Sequence, residues 1–203
     1  MLDGPNLNAD SFNIAGGGTL DVLSGSLGIA GGNLASGSTL TLSGGTFTST
    51  SGTFSVNAFG GSTLVSRSTF KVGASGTFNH NSGTLEMDCS EAVSGSTTCA
   101  LHAPSGVSLY NLNTVATGGY GNGVLVTVGH TVTVQNNLTQ LSGVIRAGGT
   151  LDVYGNVSFA SATLTGYGTN GTITLRGSAN QTYATTGTRA DPHLVINKTG
   201  GTV

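Results

Sequence analysis

Among 203 residues there is no tryptophan, there are 3 prolines, 2 methionines and 2 cysteines, and 7% of the side chains are charged. Ordinary globular chains carry charge on about a quarter of their residues. Disordered chains pair low hydrophobicity with high net charge or abundant proline. This chain fits neither pattern. Its net charge is −2, and the 6 cations, Arg67, Lys71, Arg146, Arg176, Arg189 and Lys198, are scattered. No basic patch marks nucleic acid or acidic lipid as a partner. No apolar run approaches the roughly 18–20 residues that span a bilayer. The opening MLDGPNLNADSF lacks the basic-then-apolar order of a signal peptide. The closing LVINKTGGTV reads as a repeat cut partway through, so a longer protein with its export signal elsewhere is expected.

What the chain does contain is repetition. Gly contributes 35 residues, and hydrophobic residues make up 36%. Short apolar alternations recur between glycine or polar breaks, and three columns of them align in the N-terminal part. The first runs through Thr19-Leu20, Thr39-Leu40, Thr63-Leu64 and Thr84-Leu85. The second takes Ser26-Leu27, Thr46-Phe47 and Thr69-Phe70, and the third Asn33-Leu34, Thr53-Phe54 and Thr77-Phe78. Further on, Thr131, Thr150, Thr172 and His193 begin equivalent segments, Asn137-Leu138 aligns with Asn156-Val157, and Val144-Ile145 with Thr163-Leu164.

Alternation sends residues i and i+2 to one side of a strand. Leu20 and Val22 should therefore point inward and Thr19 and Asp21 outward. Strands this short need partners one coil away, about 4.8 Å along the axis. The expectation is an all-β parallel β-solenoid with three strands per coil, about 20–22 residues per coil and about eight coils, roughly 40 Å long. Phe47 should stack on Phe70.

The expected divisions are a partial coil or cap at 1–18, regular coils over 19–87, an irregular insertion at 88–123 and regular coils again over 124–203. A weaker echo, offset by some 82–88 residues, is expected to reflect a duplicated unit of about four coils. It relates Thr84-Leu85 to Thr172-Ile173, Cys99 to Tyr183, and Leu112–Gly119 to Leu194–Gly201.

The GTL-x-V and GTF-x-V units, with the L-x-I-N-x-T-G-G-T-V phrase at Leu194–Val203, resemble the repeats of large secreted bacterial solenoids. These include autotransporter passenger domains and filamentous-haemagglutinin-like adhesins. The resemblance covers about residues 16–85 and 124–203. It implies a right-handed parallel β-helix, secreted or displayed at a cell surface, adhesive or structural, with host or surface glycans or proteins as partners and further coils of the same longer chain beside it. Such proteins share no active-site motif, so no functional residue carries over.

Candidate chemistry is sparse. Cys89 and Cys99 flank the irregular stretch, and a disulfide is expected, with free thiols or a metal site using His102 and Asp88 or Glu91 as alternatives. The paired spacing of a zinc site is absent, no calcium-binding nonapeptide repeat occurs, and no metal or cofactor is expected. A candidate binding surface comprises Tyr110, Tyr120, Asp88, Glu91 and His102. No catalytic residue is assigned. Glu86 and Asp88 alternate on one strand and would suit a glycosidase pair, but solvent-facing strand residues explain them as well. His80 is read as a corner residue. Sequons at Asn137, Asn156, Asn170, Asn180 and Asn197 carry little weight in a chain so rich in Asn and Thr.

T-x-T pairs at Thr39/Thr41, Thr46/Thr48, Thr131/Thr133, Thr163/Thr165 and Thr172/Thr174 resemble the ranks of ice-binding solenoids. Asp21, Val65, Glu86 and Asp152 are expected to interrupt them. The leading expectation is a non-enzymatic structural or adhesive segment that displays its 88–123 region. The alternatives are a polysaccharide-degrading β-helix enzyme and an ice- or glycan-binding solenoid.

Overall fold

A computed structural model describes residues 7–9, 12–14, 18–29, 31–34, 38–57, 67–89, 98–104, 106–115, 123–127, 129–142, 144–160, 171–186 and 193–203. All regular elements among them are strands. They follow a cycle of three. The first coil holds β1 (Leu7–Ala9), β2 (Phe12–Ile14) and β3 (Thr19–Val22). Next come β4 (Ser26–Ile29), β5 (Gly32–Leu34) and β6 (Thr39–Leu42), then β7 (Thr46–Thr48), β8 (Thr53–Asn57) and β9 (Arg67–Val72). The middle of the chain gives β10 (Thr77–Asn79), β11 (Thr84–Asp88), β12 (Thr98–His102), β13 (Val107–Leu109), β14 (Asn111–Val115) and β15 (Gly123–Val126). The cycle continues through β16 (Thr131–Val134), β17 (Leu138–Gln140), β18 (Val144–Ala147), β19 (Thr150–Val153) and β20 (Val157–Phe159). It ends with β21 (Thr172–Leu175), β22 (Tyr183–Thr185) and β23 (His193–Ile196).

Every ladder is parallel, and up to β18 each strand's ladder neighbours stand three elements away in the chain, after which β19 pairs with β21 and β20 with β22. Three faces result. Face I stacks β3, β6, β9, β12, β15 and β18. Face II stacks β1, β4, β7 and β10, and then β13, β16, β19, β21 and β23, with β10 and β13 in contact where the ladder changes. Face III is an 8-stranded sheet from β2 to β22. The molecule is the expected all-β parallel solenoid. Eight stacked strands reach about 40 Å at about 4.8 Å per step.

Inward residues of all three faces form one core. Phe47 (face II), Phe54 (face III) and Phe70 (face I) are fully buried, with ring centroids 5.3 to 6.5 Å apart. Edge-to-face contacts of this kind add about 0.5–1.5 kcal/mol per pair beyond burial. Where chain passes over chain, only glycine fits. A Cβ on Gly76 would collide with the Leu42 carbonyl, and one on Gly155 with the Asn136 backbone.

The turn from face II to face III carries an asparagine ladder. Leu112 N–H donates to the Asn137 carbonyl (3.0 Å), and Asn137 N–H donates back to Asn111 Oδ1 (3.2 Å). Leu138 and Asn156 repeat the exchange with Asn137 Oδ1, and Val157 and Thr182 with Asn156 Oδ1. Each side chain thus satisfies a backbone donor that the strand ladder leaves out. Asn137, Asn156 and Asn180, noted as sequons, all accept such bonds. At the last coil, Gln181 Nε2 donates to the Val153 and Gly155 carbonyls, and Lys198 Nζ reaches the Ala179 carbonyl and Gln181 Oε1.

Several expectations need correction. The columns hold up to Asn57 and then slip by one face. Thr84 pairs with Thr53 on face III rather than continuing from Thr39, and Thr39 pairs with Thr69. Phe47 is opposite Phe78, stacked at 5.9 Å, while Phe70 meets it across the core. Asn33 lies opposite Ser55, two residues beyond the expected register. The cause is residues 58–66, read as a strand around Thr63 but lying outside the described residues. They join β8 to β9 and lengthen that coil to 31 residues, from Ser55 to Glu86, against 19 from Asn137 to Asn156. Coil length therefore exceeds the expected 20–22 in the middle of the chain.

Residues 88–123, expected as an irregular insertion, contain regular strands. They hold β12, β13 and β14, in step with the cycle. Their alternation was obscured by 90–97 and 116–122, which lie outside the described residues. The long echo holds with a displacement of one face: β11 and β14 lie on face III, and their counterparts β21 and β23 on face II. The two halves therefore do not stack as one column.

All the longer connections after β5, among them 58–66, 90–97, 116–122 and 187–192, follow a face III strand. Short turns, 43–45, 73–76, 127–130 and 135–137, border β7, β10 and β16 of face II, whereas 160–171 and 186–192 lead directly into β21 and β23 of the same face.

Candidate functional site

The cysteines are joined. Cys89 follows β11 and Cys99 lies within β12, with Cα atoms 5.7 Å apart and both side chains fully buried. The bridge spans the connection from face III to face I and uses both sulfurs. Among the described residues, no three metal-ligating side chains gather. Asp88 ends β11 on face III, His102 ends β12 on face I, and Tyr110 occupies the turn between β13 and β14. They stand at three different corners. Glu91 and Tyr120 lie outside the described residues.

Two corners bring rings together. His80 Nδ1 accepts Ser82 N–H at 2.9 Å in a turn where Asn81 and Ser82 have positive φ, and its ring stacks on Tyr110 at 5.6 Å. At the turn from face I to face II, His102 and His130 meet edge to face at 4.4 Å. His130 Nδ1 accepts Ala103 N–H at 3.1 Å, which places its proton on Nε2. His102 Nδ1 lies 3.3 Å from Thr127 Oγ1, and Lys71 is its ladder partner on β9. Burial first, then His130 and Lys71, hold the His102 imidazole below its ordinary pKa. Because the His130 acceptor nitrogen is already bonded, the pair suits a coil-to-coil contact better than metal ligation.

The carboxylates are dispersed. Asp21 Oδ2 accepts the Ser43 hydroxyl at 2.9 Å on face I, and Glu86 Oε1 accepts that of Ser55 at 3.3 Å on face III. Asp152 pairs with Arg176 at 3.2 Å on face II. Each is engaged by a residue of the adjacent coil.

Face II collects the hydroxyls. Thr46 is opposite Ser26 and Thr77, and Thr131 is opposite Thr150, which is in turn opposite Thr172. The second rank, two residues along, comprises Gly28, Thr48 and Asn79 in one ladder, and Ser108, Thr133, Asp152 and the buried Thr174 in the other. Thr39 and Thr41 lie on face I, where Asp21 stands opposite Thr41 as expected; Glu86 belongs to face III, and Val65, Thr163 and Thr165 lie outside the described residues. On face II Asp152 interrupts the second rank as expected, and it is ion-paired.

The chain matches no family model, no curated protein and no solved structure.

Its chemistry is therefore read from its own faces. Sequence reasoning found the T-x-T pairs and two of their neighbours, Asp21 and Asp152, but misplaced Glu86, because it is Thr69 that follows Thr39 in the first column. It did not link His102 to His130. The signal that links them is positional: one ends a face I strand and the other precedes the face II strand of the next coil.

Proposed function

We propose that this chain is a non-enzymatic structural and adhesive solenoid segment of a cell-surface or secreted protein, with glycans or proteins as partners. The observation that supports it is the use of its polar side chains. The asparagine ladder and the bonds of Asp21, Glu86 and Asp152 run from coil to coil along the axis. They stiffen a rod rather than converge on a reacting atom. A glycosidase needs two carboxyl groups free to face one substrate bond. Further coils of a longer chain are the natural neighbours of β23, which has β21 as its one ladder partner among the described residues. The extracellular setting accords with the disulfide.

The test is incubation of the oxidised protein with pectins, alginates and β-glucans, assayed for reducing ends and unsaturated products, beside small-angle scattering for the rod. An elongated particle with no turnover is expected. Product formation that disappears in Glu86→Gln would overturn the reading in favour of the enzyme.

A further inference from the structure

We propose that face II binds ice, through the hydroxyls that its two strand ladders hold in register, Thr46, Thr48 and Thr77 in one and Thr131, Thr133, Thr150 and Thr172 in the other. This rests on the reading of the chain as a non-enzymatic solenoid and adds to it a partner and a surface. The ranks are fixed by the strand ladder, so their spacing is set by the backbone. Neighbouring hydroxyls stand about 4.8 Å apart along the axis and about 6.7 Å apart along a strand. Each threonine hydroxyl is one donor and two acceptors. A partner for such a grid must be periodic in two directions, uncharged, and able to donate and accept at every point. Water molecules on an ice surface meet all three conditions.

Three observations favour this occupant. Among the described residues, none supplies a hydrogen-bond partner to the hydroxyls of Thr46, Thr77, Thr131, Thr133, Thr150 or Thr172. Ser108 on face II accepts Gln135 Nε2 at 2.8 Å, and on face III Ser55 bonds Glu86 and Thr84 bonds Asn111. Second, the one carboxylate in the described ranks, Asp152, is neutralised by Arg176. Among the described residues the ranks hold no Phe, Tyr or Trp, and their one ring is His193, opposite Thr172 at the last coil, so the stacking platform typical of a sugar site is missing. Third, the connections that flank β7, β16 and β19 on face II run to at most four residues. A rigid crystal plane can approach only such a face.

The intact oxidised chain is assayed for thermal hysteresis and for adsorption, as a fluorescent conjugate, to a single-crystal ice hemisphere. Thr133→Tyr and Thr150→Lys place bulk or charge in the ranks, and Tyr is a good strand former that preserves folding. Thr139→Lys on face III is the control, and circular dichroism verifies all three. Expected are hysteresis and adsorption by the natural chain and by Thr139→Lys, and loss of both in the folded face II variants. Absence of hysteresis in the natural chain overturns the proposal, as does equal activity in the face II and face III variants. Saturable binding to crystalline cellulose or chitin without ice activity, abolished by Thr133→Tyr, overturns it in favour of a polysaccharide surface. None of these failures produces glycan cleavage, so the structural reading stands or falls separately.

Discussion

Reduction of the Cys89–Cys99 bridge is the sharpest perturbation available. The two residues are 10 apart in sequence and tie the end of a face III strand to the face I strand that follows. Chain entropy assigns a closed loop of that length about 2.7 kcal/mol of restraint on the unfolded chain. Both sulfurs are fully buried, so reduction leaves two thiols in the same apolar setting, where they act as small hydrophobes. The native side should change little, and the loss should stay near the entropic figure. For a chain of this size that corresponds to a fall of about 5–10 °C in Tm. Urea unfolding of oxidised and dithiothreitol-treated protein, followed by far-UV circular dichroism, measures it directly. The midpoint should drop and the denaturant slope should rise, because the reduced unfolded chain exposes more surface. An unchanged midpoint would refute the entropic argument. A loss above about 5 kcal/mol would mean that the bridge holds the fold rather than the loop.

Two further outcomes follow from the coil-to-coil bonds. Asn137→Ala removes the acceptor for Asn156 N–H and should cost about 1 kcal/mol in urea, while Asn137→Asp keeps an acceptor and should cost less; equal effects would make the ladder incidental. His102 is held below the ordinary 6.5 by burial, His130 and Lys71, so its neutral ring is favoured on folding. That contribution is full above 6.5 and is lost as pH falls through 6.5 toward the folded value. His102→Gln should flatten the decline in urea midpoint between pH 7.5 and 5, and an unchanged slope would refute the assignment.

Architecture was readable wherever the apolar alternation ran unbroken. Thr131, Thr150, Thr172 and His193 were aligned by period alone and do form one rank. The reading slipped after Asn57. Thr63-Leu64-Val65 and Thr69-Phe70-Lys71-Val72 carry the same local signal, and it is Thr69 that pairs with Thr39. Shifting that column by one face is what put Glu86 beside the T-x-T pairs and Phe70 on Phe47. The asparagine ladder was hidden for another reason: sequons and ladder positions share the same letters, and what distinguishes them is the backbone donor one coil away.

Because every ladder runs parallel to its neighbour, the hydrogen bonds that hold the coils together lie along the long axis. A pull on the two ends therefore loads them in series, one coil at a time. The 19 residues that separate Asn137 from Asn156 occupy about 4.8 Å of the stack and extend to about 65 Å when peeled away. Each released coil lengthens the molecule more than tenfold over its stacked rise while the rest keeps its pairing. The Cys89–Cys99 bridge withholds its enclosed segment from that extension. Under tension the solenoid behaves as a stepwise shock absorber whose stroke is set by coil length.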